Sequence, residues 1–265
     1  MKKIITNTAL TFAVLVMICI TINYFRAAHE AEVTETVNTG QISFQTSTEL
    51  PADSAELPLQ DKVICVDAGH GISSVEREEP IAPGSEKTKS AFVAGTTGKN
   101  QTEEQLNLRL ALLLEKVLKE YGATVHMTRT THETTLSNID RAELANSVNA
   151  DICVKIHADG AGVSSVHGIS MLVPSNENLK NESVCNESKK AGEKVLDWVI
   201  RETGAKNNGV IKRSDLTGFN WSKVPVILIE TGFMTNPEED ALLETDEYCG
   251  KLVTGIVNGL LEYFG

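Results

Sequence analysis

The stretch VDAGHG, Val66–Gly71, ends an apolar run beginning at Val63 and delivers a histidine flanked by Gly69 and Gly71. A short apolar run bounded by glycines reads as a buried strand, Val63–Asp67, with His70 where that strand stops. A histidine met alone is more often a satisfied core residue than a ligand. Two later runs repeat the arrangement. Ile152–Ile156 leads to His157 in KIHADG, and Val224–Ile229 leads to Glu230 in VILIETGFMTN. Open α/β sheets place their ligands at the carboxyl ends of strands, so His70, His157 and Glu230 are expected to converge on one rim. A carboxylate at the mouth of a buried strand is costly unless another charge compensates it, and a metal ion does so.

Helical periods separate the strands. Thr102–Tyr121 opens with Thr102 and carries Gln105 three residues on, a capping-box pattern, and Gly122 provides its stop. Further helices are expected over Ser137–Val148, Ser188–Glu202, Glu239–Leu243 and around Lys251–Phe264, and further strands over Val125–Thr128 and Gly168–Pro174. Residues 72–101, rich in Gly, Pro, Ser and Thr, read as a long loop. Strands alternating with helices imply an α/β domain with a largely parallel or mixed sheet.

The first long helix offers one more ligand. From Glu103, a helical stripe runs through Leu106, Leu110, Leu113 and Val117, so Glu103 is expected on the core-facing edge. Glu104 shares its face with Asn107, Leu108, Ala111 and Glu115 and is expected nearer solvent. Two imidazoles and one carboxylate that leave a position open for water are a layout of catalytic zinc sites. Glu230 would then be the carboxylate that moves the proton in amide hydrolysis. Among the other histidines, His29 falls in a polar segment, His126 alternates within a strand, His132 lies in a Thr-rich turn, and His167 precedes a strand near the expected rim. The sequence holds no G-x-S-x-G elbow, phosphate-binding glycine loop or C-x-x-C pair.

Composition bounds the rest. The chain has 265 residues and a net charge of −12 at pH 7, which argues against a polyanion-binding surface and so against nucleic acid. Lys2 and Lys3 precede the uncharged segment Ile4–Phe25, so residues 1–26 read as a membrane anchor or signal segment and the body as exported. Residues 27–60, rich in Thr, Ser, Glu and Gln, read as a disordered linker, and residues 61–265 as the folded domain. Cys65 and Cys153 fall inside expected strands, where a free cysteine acts as a small hydrophobe.

In order and spacing, VDAGHG, TEEQLNL, VHMTRTTHETTLSNIDRAELAN, KIHADG and VPVILIETGFMTNPEED resemble the type 3 N-acetylmuramoyl-L-alanine amidases, over about residues 61–265. The resemblance implies a zinc-carboxypeptidase-like α/β fold, a mixed sheet of about six strands flanked by helices. It implies Zn2+ held by His70, Glu103 and His157, with Glu230 as the catalytic glutamate. The implied substrate is the amide joining the muramoyl lactyl group to L-alanine of the peptidoglycan stem peptide. The implied place of work is the cell wall or the outer face of the cytoplasmic membrane, or the medium after secretion. Asp159 stands where the family often has Asn, and Asn208 where an Arg is common. Residues 81–98, IAPGSEKTKSAFVAGTTG, are expected to border the substrate groove, and no helical plug is expected between His157 and Ser188. A zinc peptidase acting within the stem peptide and a catalytically silent wall-binding module are the competing readings.

Overall fold

The computed structural model describes residues 57–265. The expected anchor or signal segment, 1–26, and most of the expected linker, 27–60, lie outside the described residues. Leu57–Gln60, read from composition as the end of that linker, form a turn. Leu59 there is fully buried, and its amide donates to the Tyr121 carbonyl at 2.9 Å.

Six strands form one sheet in the order β4-β1-β5-β8-β6-β7. They are β1 (Val63–Ala68), β4 (Thr124–Met127), β5 (Ile152–Asp159), β6 (Ile169–Pro174), β7 (Asn207–Arg213) and β8 (Val226–Phe233). All neighbouring pairs are parallel except β6 and β8, so the sheet is mixed. The segment read as a loop over 72–101 contains a small antiparallel ribbon, β2 (Glu78–Pro80) with β3 (Thr88–Ser90). Three-residue strands are too short to produce a period-two signal, which is why the sequence hid them. Strand β7, with the pattern NNGVIKR, escaped notice for a related reason. It pairs on one side only, and its residues are partly buried or exposed.

The long helices are α1 (Glu103–Glu120), α2 (Asn138–Ser147), α4 (Glu182–Thr203) and α7 (Asp246–Phe264), with short α3 (Asn176–Leu179), α5 (Thr217–Asn220) and α6 (Pro237–Leu243) between them. At the start of α1 the Thr102 amide donates to Gln105 Oε1 at 3.0 Å. Asn181 caps α4 by accepting from the Val184 amide, and Gly204 ends that helix with φ 70°. This cap places the start of α4 well before the expected Ser188.

Strand alternation divides the interior into two cores. Ile64, Val66 and Ala68 of β1, with Ile152, Val154 and Ile156 of β5 and Ile227 and Ile229 of β8, join α1, α4 and α7 in the larger core. Cys65, Cys153 and Leu228 face the other way, with Ala145 of α2 and Phe219 of α5. A side-chain period of two then puts Asp67, Lys155, His157 and Glu230 on this second face, continuing the rows begun by Cys65, Cys153 and Leu228.

Helices α4 and α7 pack at very short range through two glycines. A Cβ at Gly255 would lie 2.5 Å from Val199 Cα, and one at Gly259 would lie 2.4 Å from Val195 Cα. Both obstacles are backbone, so the helices must separate to admit a methyl group. Alanine gains about 1 kcal/mol of helix propensity over glycine, whereas overpacking costs about 1–3 kcal/mol. Gly255→Ala combined with Gly259→Ala is therefore expected to lower stability by roughly 2 kcal/mol in urea unfolding. An unchanged midpoint would show that the helix pair yields freely.

Candidate metal centre

The site is built around a short, strained turn. Beyond β1, His70 has φ 58° and Gly71 φ 133°, conformations that cost a histidine about 1 kcal/mol or more. Two buried guanidinium groups hold the turn by its carbonyls. Arg129 donates from Nε to Ala68 O at 2.9 Å and from Nη2 to Gly69 O at 2.8 Å. Arg141 donates from Nη1 to Ala68 O at 2.7 Å and from Nη2 to His70 O at 2.5 Å. Arg129 pairs with Glu104, whose Oε2 lies 3.9 Å from its Nη1, and Arg141 with Asp67, whose carboxylate accepts from Arg141 Nη1 at 2.7 Å, from Thr128 Oγ1 at 2.6 Å and from Lys155 Nζ. Burial works to raise the Asp67 pKa, but the charges of Lys155 and Arg141 outweigh it and hold the carboxyl well below the usual range.

This turn aims His70 inward. Its Nδ1 lies 2.7 Å from the Val93 carbonyl, which can only accept, so Nδ1 carries the proton. Nε2 then faces Glu103 Oε1 at 3.0 Å. His157 Nδ1 meets the same oxygen at 3.0 Å. The His157 ring lies over Gly69, where a Cβ would come within 2.4 Å of its Nε2, so residue 69 has to be glycine. The two imidazoles stand edge to face with centroids 4.8 Å apart.

Glu103 occupies the first turn of α1, where the helix dipole favours an anion. Its Oε2 accepts from the Thr96 amide at 2.9 Å, while Oε1 also accepts from Asn107 Nδ2 and the Ala158 amide, each at 3.2 Å. Burial pushes the Glu103 pKa up, but hydrogen bonds from His157 and from the protonated form of His70 prevail and hold it well below the carboxylate range. At His70 burial opposes a proton, yet the hydrogen bond its protonated ring donates to Glu103 raises its pKa; at His157 burial prevails and lowers it.

One ligand atom from each of His70, Glu103 and His157 lies within 4.8 Å of the others. Nitrogen and carboxylate donors bind zinc at about 2.0–2.2 Å, and Glu103 Oε1, 3.0 Å from one nitrogen of each ring, is at a spacing that such donors span. A neutral His70 presents a lone pair, not a proton, to the carboxylate oxygen, and a cation resolves that acceptor-to-acceptor contact. The donor set thus fits a divalent metal.

Glu230 faces this cluster from β8, in register with His157 of β5 and Ser170 of β6. Both β5 and β8 run beyond their expected ends, so His157 and Glu230 sit within the strands. Their register shifts between His157 and Asp159. Burial, then the charges of Asp159 and Glu103, push the Glu230 pKa well above the carboxylate range, against the opposing charge of Arg213. A carboxyl tuned upward in this way suits proton transfer near neutral pH.

All four expected site residues line connected space. His70, His157 and Glu230 border a cavity of about 370 Å³, and Glu103 joins them on a second opening. One expectation is corrected. Glu104 is buried like Glu103, at 5% and 3% exposure, because Asn107, Leu108 and Ala111 on its stripe are buried too. Glu104 accepts from Thr102 Oγ1 at 3.1 Å and lies 3.0 Å from His132 Nδ1, outside the metal cluster. His167 is exposed beside the Ser165 carbonyl and takes no part, and His126 lies on β4 at the sheet's far edge. Between β5 and α4 the structure has β6 and the four-residue α3, and no longer helix. The roles of Asp67, Arg129, Arg141 and Lys155 were not read from sequence, although the runs VDAGHG, VHMTRTTHETTLSNIDRAELAN and KIHADG contain them. An aspartate inside a buried strand, beside a lysine inside another, was the available signal.

Comparison with known proteins gives a consistent pattern. The profile of the family described as N-acetylmuramoyl-L-alanine amidase matches residues 64–262. The chain is 27% identical over 207 residues to the N-acetylmuramoyl-L-alanine amidase AmiA of Salmonella typhimurium, covering 64% of this chain and 71% of that protein. It is 26% identical over 238 residues to the probable cell wall amidase LytH of Staphylococcus aureus, covering 89% of this chain and 70% of LytH. The crystal structure of the amidase Ami1 from Mycobacterium smegmatis superposes with a TM-score of 0.71 at 26% identity, covering 78% of this chain and 98% of that one.

The depressed pKa of Asp67 has a sign that can be measured. A carboxyl held below its unfolded value adds stability above that value, about 3.9, and loses it as the pH falls further. The stability gap between the wild type and Asp67→Asn should stay level above about pH 5 and close below pH 4 by roughly 1.4 kcal/mol per unit. A gap of constant size down to pH 2 in urea unfolding would contradict the depressed carboxyl.

Proposed function

Since the chain belongs to the N-acetylmuramoyl-L-alanine amidase family, we propose that His70, Glu103 and His157 hold a zinc ion and that Glu230 moves the proton. The reaction is hydrolysis of the amide between the lactyl group of N-acetylmuramic acid and L-alanine of the peptidoglycan stem peptide. When bound, zinc supplies a charge that acidifies water and polarises an amide carbonyl. Glu230 takes a proton from the attacking water and returns it to the alanine nitrogen as the carbon–nitrogen bond breaks, leaving a lactyl carboxylate and a free amino terminus. The observation carrying this reading is that Glu230 and His157 are register partners on one sheet face and border one cavity.

The turn at Ala68–His70 positions one imidazole, and the Val93 carbonyl sets its tautomer. Asn107 and the Ala158 and Thr96 amides orient Glu103. Partners of this kind, lying behind metal ligands, typically contribute 10–100-fold to affinity or activity. The substrate is a cell-wall polymer, and export through residues 1–26, as anchor or signal segment, belongs to the proposal. Among the described residues no helix is long and apolar enough to cross a membrane.

Glu230→Gln keeps the shape while removing the titrating group. It is expected to retain one zinc per chain by elemental analysis and to lose about 10²–10⁴-fold in turnover. His70→Ala and His157→Ala should lose the metal itself. Undiminished turnover in Glu230→Gln would remove Glu230 from the reaction. Digestion of purified peptidoglycan by zinc-loaded protein should release alanine amino termini without new reducing ends. New termini at other amino acids would instead identify a stem peptidase.

A further inference from the structure

The two openings that meet at the metal cluster carry opposite charge. The cavity of about 370 Å³ that starts at His70, His157 and Glu230 passes beside β3 and is lined by four cations, Lys89, Arg141, Lys155 and Arg213, against the carboxylates of Asp67 and Glu230. The second opening is lined by Glu103, Asp159 and Glu230, with no lysine or arginine. In a chain of net charge −12, four cations around one cavity are a local reversal.

Three of these cations already have carboxylate partners. Arg141 and Lys155 close on Asp67, and Arg213 donates to Asp215 from Nε and Nη2, each at 2.7 Å. Lys89 is different. Its Nζ reaches only the Asp215 backbone carbonyl, at 3.4 Å, and among the described residues it has no carboxylate within ion-pair distance. Burial lowers its pKa, while Glu79 and Asp215 act the other way and Lys155 and Arg213 reinforce the lowering. An ammonium group partly withdrawn from water beside other cations is stabilised by an incoming anion. Arg213 also lies close enough to Glu230 and Asp159 to feel both charges, so the cationic end adjoins the reacting centre.

We propose that Lys89 and Arg213 form a carboxylate subsite that selects stem peptides whose second residue carries a free α-carboxylate. This rests on the amidase reading and orients the substrate within it. In a stem peptide whose second residue is a glutamate joined through its side chain, the α-carboxyl is either free, as an anion, or blocked, as a carboxamide. The two forms differ at a single functional group. The peptide then lies along β3 in the cationic cavity, and the uncharged sugar lies toward Asp159. A cavity of this volume is within the range of small-ligand sites.

Two preparations of un-cross-linked glycan strands, one with the free carboxylate and one with the carboxamide at the second residue, separate the possibilities. The readout is the ratio of kcat/KM for release of alanine amino termini, which partial unfolding of a variant does not move. Wild-type enzyme is expected to favour the carboxylate by about tenfold, the size of one partly screened charge-assisted hydrogen bond. Lys89→Gln and Arg213→Gln should each bring the ratio toward one, while Lys87→Gln, just before β3 and outside the cavity, should leave it unchanged. Equal rates on both strands, a preference for the carboxamide, or a preference insensitive to Lys89→Gln and Arg213→Gln would each overturn the subsite. Release from neither strand would overturn the amidase reading beneath it.

Discussion

The carbonyls of Ala68, Gly69 and His70 leave β1 pointing at two buried guanidinium groups, and the candidate metal centre depends on that clamp. Arg129 and Arg141 come from the segment after β4 and from α2, far along the chain, yet they share the Ala68 carbonyl and between them take up those of Gly69 and His70. A left-handed histidine persists only where its surroundings over-determine the conformation. Here the surroundings do so with charge-assisted hydrogen bonds, stronger than those between neutral groups. Asp67 and Glu104 make the arrangement tolerable in a low-dielectric interior, since two arginines and a lysine without anions would cost far more to bury. Removing one member of such a network commonly costs 3–5 kcal/mol, because its partners are left charged and buried. The network therefore couples the stability of the sheet to the geometry of the site.

Parity along the strands does the rest of the positioning. Rows of apolar side chains on one face of β1, β5 and β8 pack under α1, α4 and α7. The opposite rows begin with Cys65, Cys153 and Leu228 and continue into Asp67, Lys155, His157 and Glu230. Slippage by one residue would bury the chemistry beneath the helices and expose the aliphatic rows, so the large core enforces the register of the site. Glu103 arrives from outside the sheet, on the first turn of α1, and joins the two histidines through a single oxygen. Close approach at glycine permits this density. The His157 ring occupies the space a side chain at residue 69 would take, and Glu103 and His70 crowd Gly95 in the same way.

The polar segment between β1 and α1 is more than a connection. Its Val93 carbonyl sets the His70 tautomer, and its Thr96 amide holds Glu103. Lys89 stands on its short ribbon at the wall of the cavity. One segment thus touches both His70 and Glu103 of the candidate metal cluster and also lines the adjoining cavity.

Much of this was legible in the order of residues. Apolar runs leading to His70, His157 and Glu230 identified three central strands, because burial on both faces demands continuous aliphatic sequence. The capping pattern at Thr102 placed α1, and the helical stripe from Glu103 picked out the carboxylate that the fold brings beside His70 and His157. Local sequence also marked the glycines that the tight turn requires. What it left undecided was long-range. Glu104 was assigned to solvent because a helical wheel cannot report what will cover its second face, and the segment carrying Arg129 and His132 covers it. The ribbon of β2 and β3 and the edge strand β7 carry too few buried residues to leave a period. The pairing of Asp67 with Lys155 and Arg141 spans separations of 88 and 74 residues, and no local rule links them. Sequence by itself determined which residues have the chemistry and which elements carry them, since periodicity and capping are properties of neighbours. Tertiary structure alone decided which charges meet, because a buried ion is stabilised only by partners that the completed fold brings within a few ångströms.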